Sequence, residues 1–182
     1  LYRGMPALPE TAELWEANRE PAIEFLDRNG ETLAIRGPRY GRAIKIDELP
    51  PHVPRAFIAA EDKRFYLHDG ADTQAMIRAA WSNFSSGRTV SGASTLTQQL
   101  VKNLVLSPEQ TLKRKVQEIR LARQLEEKLS KNDILELYLN RVYFGSGFYG
   151  LGAASRFYYG KDPQDLTLAE ASLLATLPKA PS

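Results

Sequence analysis

Cysteine is absent from these 182 residues, which removes disulfides, thiolate metal sites and a cysteine nucleophile from consideration. That composition suits an extracytoplasmic protein without requiring one. No apolar run approaches the roughly 18 to 20 residues of a membrane-spanning helix, and no charged, apolar, small-residue leader opens the chain. Any anchor is therefore expected outside these residues. A balance of 24 basic against 22 acidic side chains leaves a net charge of +2, too little to argue for nucleic acid. Repeats at solenoid spacing, low-complexity tracts and a clustered set of metal ligands are also missing.

What is present describes an ordinary globular chain, 43% apolar and 25% charged, long enough to bury its own core as one domain. Residues 1 to about 21, with Pro6, Pro9 and Pro21, read as a tail with one short helical turn around Ala12 to Asn18. From Ile23 to Leu33 the alternation around Asn29-Gly30 predicts a hairpin, because that pair accepts the positive φ of a tight turn. After Leu49-Pro50-Pro51 the period becomes helical, with Pro54 in a first turn where its missing donor costs nothing. Further helix starts are expected at Asp72 before Thr73 to Phe84, at Ser107-Pro108-Glu109-Gln110, at Ser130 before Lys131 to Leu139, and at Thr167-Leu168-Ala169-Glu170. The second and fourth of these read as capping boxes. Gly145, Gly147, Gly150 and Gly152 make Tyr143 to Gly152 an irregular loop. The expectation is a mostly helical domain.

Three stretches carry chemistry. Glu61 follows the apolar helical run Phe57-Ile58-Ala59-Ala60, so its carboxylate should emerge where a helix leaves the core; the plainer alternative is a surface glutamate paired with Lys63 or Arg64. Phe65 and His68, at i+4 and i+7, would share its face as a core aromatic and a hydrogen-bonded structural histidine, with Asp62 a structural partner. In Ser94-Thr95-Leu96-Thr97-Gln98-Gln99 a capping box at Thr95 would leave helix-start amides beside Ser94 and Thr95, and such amides attract phosphate. Gln98 and Lys102 lie four apart and would reach one ligand, with Gln99 and Asn103 as the neighbouring pair; a simple capped surface helix is the alternative. Finally, Lys113, Arg114, Lys115, Arg120, Arg123, Lys128 and Lys131 crowd a segment whose acids are Glu118, Glu126 and Glu127. A solvated helix face explains such a run, yet Arg114 and Lys115 at i, i+4 and i, i+3 to Glu118 could instead form an anion site. Ala122 and Leu125 continue the Glu118 stripe and argue that this face enters the protein.

The run Glu61-Asp62-Lys63-Arg64-Phe65-Tyr66-Leu67-His68-Asp69-Gly70 and the run Ser94 to Asn103 resemble signature motifs of the peptidoglycan glycosyltransferases. Arg114-Lys115 with Glu118, Lys131 through Ile134-Leu135 to Tyr138-Leu139-Asn140, and Phe144-Gly145 through Gly150 toward Glu170 follow in the same order, so the resemblance spans roughly residues 45 to 182. Ile23 to Ala34 resembles the linker that precedes this domain in bifunctional class A penicillin-binding proteins. The resemblance implies a mainly α, lysozyme-like bilobed domain over 45–182, preceded by a tail and β-hairpin linker over 1–44. It implies polymerisation of lipid II into β-1,4-linked glycan strands with loss of undecaprenyl diphosphate. Glu61 would be the general base, and Glu118 would orient the cations or assist departure. Ser94, Thr95, Gln98, Gln99, Lys102, Asn103, Arg114 and Lys115 would hold substrate.

The same resemblance allows for a divalent cation, Mg or Mn. It also implies a membrane surface as partner, met by a lobe assigned to Trp81, Phe84, Leu104, Val105 and Leu106. An N-terminal anchor would hold the protein at the outer face of the bacterial inner membrane, and a transpeptidase domain would follow. No Ser-x-x-Lys or Lys-Thr-Gly occurs here, so these residues cannot carry acyl-serine chemistry themselves. Two other classes stay open at this point: a lysozyme-type hydrolase, which would have no use for the cations near Lys115, and a noncatalytic envelope-binding module.

Overall fold

A computed structural model describes residues 8–15, 22–86, 94–105 and 111–179. Within them the chain is mainly helical: α1 (Thr11–Trp15), α2 (His52–Glu61), α3 (Thr73–Ser86), α4 (Leu96–Val105), α5 (Leu112–Lys128), α6 (Lys131–Arg141), α7 (Leu151–Tyr159) and α8 (Leu168–Leu174). Strands β1 (Ile23–Leu26) and β2 (Thr32–Arg36) pair antiparallel, while β3 (Arg39–Tyr40) and β4 (Phe148–Tyr149) form a short parallel pair.

The centre of the fold is α6, whose residues Ile134 to Leu139 are all buried. It packs against α4, which packs in turn against α5, while α2 packs against α8. Local chemistry starts these helices. The Ser130 hydroxyl accepts from the Asp133 amide as the Asp133 carboxylate accepts from the Ser130 amide, and Thr167 and Glu170 do the same for α8, each pair silencing two helix-start donors. The box expected at Ser107 lies outside the described residues; α5 begins at Leu112, where Thr111 accepts from the Arg114 amide at 3.1 Å.

Three expectations need amendment. The hairpin turn spans Asp27 to Gly30 rather than two residues: Gly30 donates to the Asp27 carbonyl at 3.1 Å, and the Asp27 carboxylate accepts from the Asn29 and Glu31 amides. Only Gly30 takes a positive φ, of 86°, because the longer loop moves the left-handed position onto one residue. The short helix α1 is not simply part of a tail. Leu14 is buried in the core and its carbonyl accepts from the Arg141 guanidinium at 2.7 Å. Finally, α2 ends at Glu61, where Asp62 leaves helical geometry at φ −155° and ψ 76° before the 3-10 turn Phe65–Leu67. Phe65 and His68 therefore cannot share a helix face with Glu61. Phe65 is nevertheless a fully buried core aromatic.

Candidate active site

Ending α2 at Glu61 delivers its carboxylate to a cleft of about 620 Å³, which is also lined by Lys63, Arg78, Ser94, Gln99 and Lys102. A larger hollow of about 1080 Å³ lies elsewhere, between the hairpin and α7, but none of the candidate residues reaches it. The Gln99 side-chain amide donates to Glu61 Oε2 at 2.8 Å, and the Gln99 carbonyl oxygen accepts from the Tyr138 hydroxyl at 3.4 Å. Glu61 Oε1 is buried and has no hydrogen-bond donor among the described residues. Burial, and then the Glu61 charge, push the Tyr138 hydroxyl well above its ordinary pKa, so it remains a protonated donor. Asp72 starts α3 at the cleft's edge. Burial pushes its carboxyl up, but the Ala75 amide and the Arg64 charge more than offset this and hold it below its ordinary value.

The start of α4 is capped as its sequence suggests: Thr95 Oγ1 accepts from the Gln98 amide at 3.1 Å and Gln98 Oε1 from the Thr95 amide at 3.3 Å. This end is not an open phosphate cradle, however. Thr95 and Gln98 are buried, and the Leu96 amide donates to the Asp62 carboxylate at 3.1 Å. An internal anion thus already sits against the helix start, which the macrodipole favours. His68 Nε2 lies 2.9 Å from the same carboxylate, so Asp62 has the structural role and His68 the hydrogen bond that their sequence context suggested, each supplied by the other. Gly70 completes this junction: at φ 76° its carbonyl accepts from Thr95 Oγ1 at 2.7 Å, while an added Cβ would stand 2.7 Å from the Ala122 carbonyl carbon and the Arg123 nitrogen. Only glycine fits where the loop after Glu61 crosses α5.

Lys115 joins the next turn to the cleft. Its ammonium donates to Ser94 Oγ at 2.8 Å, Gln98 Oε1 at 3.2 Å and Glu118 Oε1 at 2.6 Å, so all three of its protons are engaged. Glu118 is only 3% exposed, and Arg114 Nη2 lies 4.0 Å from its other oxygen. Ala122 and Leu125 are buried beyond it, so the Glu118 stripe faces the core, whereas Lys113, Arg120, Arg123 and Lys128 on the rest of this segment are exposed. Two donors beside this cluster, Gln98 Nε2 and Arg114 Nε, are buried without an acceptor among the described residues. Gln98 and Lys102 do not meet on one surface: α5 covers Gln98 completely, through Lys115, whereas Lys102 and Asn103 are exposed. Asn103 does not line the cleft.

One charged neighbourhood escaped sequence reading. Glu126 looked like one charge among many, yet its side chain is 6% exposed, accepts from Thr97 Oγ1 at 2.5 Å, and pairs with Lys131 at 2.8 Å. The Lys131 ammonium also donates to the His68 carbonyl and lies 4.6 Å from the Phe65 ring centroid. One partly buried pair thereby ties α4, α5, α6 and the loop after Glu61 together. The signal available was Lys131 within a helix-starting motif; nothing local marks Glu126 as its partner. On the outer face of α3, Ile77 and Trp81 are 69% and 72% exposed, while Leu104 and Val105 pack partly against the core. The Phe84 side chain and Leu106 lie outside the described residues. Among the described residues no three His, Asp or Glu side chains converge to hold a metal ion. None of the described helices is long and apolar enough to cross a membrane.

With this geometry in place, the similarities to known proteins fall on the same elements. The family model described as Transglycosylase matches residues 29–182. Penicillin-binding protein 1A of Escherichia coli (strain K12) is 45% identical over 183 aligned positions, covering 100% of this chain and 22% of the relative. Penicillin-binding protein 1A of Aquifex aeolicus (strain VF5) is 45% identical over 182 positions, 100% of this chain and 25% of the relative. Penicillin-binding protein 1F of Bacillus subtilis (strain 168) is 45% identical over 159 positions, 87% of this chain and 22% of the relative. The chain therefore spans a quarter or less of the length of these relatives. A family match across most of the chain, running through Glu61, the α4 start and the Lys115 cluster, leads to one assignment: this chain belongs to the transglycosylase family.

Proposed function

We propose that this domain is a peptidoglycan glycosyltransferase that polymerises lipid II into β-1,4-linked glycan strands and releases undecaprenyl diphosphate. The observation that carries the reading is a carboxylate whose one hydrogen bond among the described residues comes from a neutral amide, joined through one cleft to a corner rich in positive charge. Glu61 and Ser94 line the same cleft, and Ser94 is held by Lys115. Exchange of a diphosphate oxygen for the Ser94 hydroxyl would bring the leaving group onto the Lys115 ammonium. Lys102 and Arg78 add charge along the cleft.

In this reading Glu61 takes the proton of the 4-hydroxyl of the acceptor N-acetylglucosamine. The freed oxygen electron pair forms the new bond to the anomeric carbon of the growing chain. The bond from that carbon to the diphosphate oxygen breaks, and its electron pair leaves with undecaprenyl diphosphate. Attack opposite the leaving group inverts the anomeric centre. Lys115 and Arg114 stabilise the negative charge that develops there, and the buried Glu118 holds them in position. A hydrolase splitting a neutral glycoside would need a proton donor at the leaving oxygen and would gain little from these cations.

The setting follows from the same substrate. Lipid II is confined to a membrane, so the domain works at the outer face of the bacterial inner membrane, with Ile77 and Trp81 of α3 toward lipid. The greater length of the relatives accommodates an anchor and a transpeptidase domain in the parent protein. Incubating the protein with lipid II and, separately, with polymerised glycan tests the reading. Growth of long chains from the first is expected; shortening of the second without growth from the first would overturn it in favour of cleavage.

A further inference from the structure

We infer that Gln99 is a positioning residue for Glu61, and that Tyr138 braces the far end of the Gln99 amide. This rests on the proposed role of Glu61 as base and deepens it. The carboxylate accepts only and so takes the amide Nε2, and the tyrosine hydroxyl, which can donate or accept, donates to the oxygen this leaves on the other side. One orientation of the Gln99 amide satisfies both: Nε2 toward Glu61 Oε2 at 2.8 Å and Oε1 toward the Tyr138 hydroxyl at 3.4 Å. The reversed amide would set oxygen against oxygen at Glu61. Tyr138 is 1% exposed on the buried face of α6, so the far end of the relay is fixed by the core. Its raised pKa, from burial first and the Glu61 charge second, keeps the hydroxyl a donor throughout the working pH range.

The relay matters because Glu61 has rivals for its attention. Charged groups facing it in the cleft are Asp62, Lys63 and Arg64 from the following loop, Asp72 and Arg78 from the start of α3 and its first turns, and Lys102 from α4. A carboxylate free to rotate would pair with one of these cations and turn from the acceptor hydroxyl. Gln99 supplies the one hydrogen bond the described residues make to this carboxylate. A neutral donor holds the carboxylate in place without satisfying it as fully as a cation would.

The test uses the full chain and lipid II, with initial rates measured against substrate concentration and pH. Gln99→Ala is expected to lower kcat about tenfold or more while KM changes by less than about twofold. Gln99→Glu places a second carboxylate against Glu61, and because two such groups share a proton, the acid limb of the rate profile moves to higher pH. Tyr138→Phe keeps the buried ring and lowers kcat by a smaller factor, about two- to threefold. A raised KM with unchanged kcat and pH profile would make Gln99 a substrate contact and overturn the relay. Should the glutamate variant fail to fold, Gln99→Ala and Tyr138→Phe carry the same kcat-against-KM decision. Glu61→Gln separates the two levels. If it polymerises at the parental rate, the base itself is wrong. If it is inactive while the Gln99 variants keep kcat and pH profile, the base stands and the relay falls.

Discussion

Glu61 and Glu118 are carboxylates of one site with opposite surroundings. Glu118 lies on the buried stripe of α5, with Lys115 at 2.6 Å on one oxygen and Arg114 at 4.0 Å on the other. Glu61 stands at the end of α2, with a neutral amide on one oxygen and no described donor on the other. A carboxylate saturated by cations is a fixed charge that holds those cations in place. One restrained by a single amide keeps electron density for a proton. The difference follows from placement: mid-helix positions on a core stripe bring i+3 and i+4 partners, whereas a helix terminus opens onto a cleft.

Removing each carboxylate in turn sharpens this contrast. Glu118→Ala should have the largest effect on stability, lowering it by about 1–3 kcal/mol, because Lys115 and Arg114 lose their buried partner; the partial exposure of Lys115 keeps the loss below that of a fully buried pair. Chemical denaturation measures it. Asp62→Ala should cost about 1–2 kcal/mol in the same measurement, since the α4 start and His68 both lose their acceptor. Glu61→Gln should leave stability within about 0.5 kcal/mol of the parent, as the new amide oxygen still accepts from Gln99. A large destabilisation by Glu61→Gln, matching that of Glu118→Ala, would erase the distinction between the two.

The mildest test uses a carboxylate outside the site. Glu170 is hydrogen-bonded by Lys161 at 2.7 Å, and that bond, followed by the Thr167 amide, takes its carboxyl from the ordinary 4.5 down to about 2. A depressed folded-state value contributes stability above pH 4.5 that is lost as pH falls toward about 2. Glu170→Gln should therefore make the decline of the thermal midpoint across that window slightly shallower. An unchanged slope would show that the pair contributes nothing to acid sensitivity.

How much of this could be read in advance depends on the range of the interaction. The caps at Thr95 and Thr167 rest on neighbours three residues apart, and they stand as their local patterns suggest. The helical class followed from periodicity, and the buried stripe through Ala122 and Leu125 was visible in the spacing from Glu118. Apart from the hairpin turn and the end of α2, the outcomes that differed depend on tertiary packing. Asp62 occupying the α4 start couples residues 34 apart in sequence, and the Thr97 to Glu126 bond couples residues 29 apart. The Arg141 bond to the Leu14 carbonyl spans 127 residues. Gln98 looks like a polar surface residue until α5 is laid over it. Gln99 is likewise a polar residue of a helix start until α6 brings Tyr138 to its other side.

The central claim is that Glu61 removes the acceptor proton while the Lys115 corner receives the leaving diphosphate. Its most direct test is lipid II polymerisation by the parent and Glu61→Gln proteins, measured beside the binding of a lipid diphosphate. The account predicts that Glu61→Gln loses about 10²- to 10⁴-fold in kcat with diphosphate binding unchanged. Polymerisation at the parental rate by Glu61→Gln would contradict it.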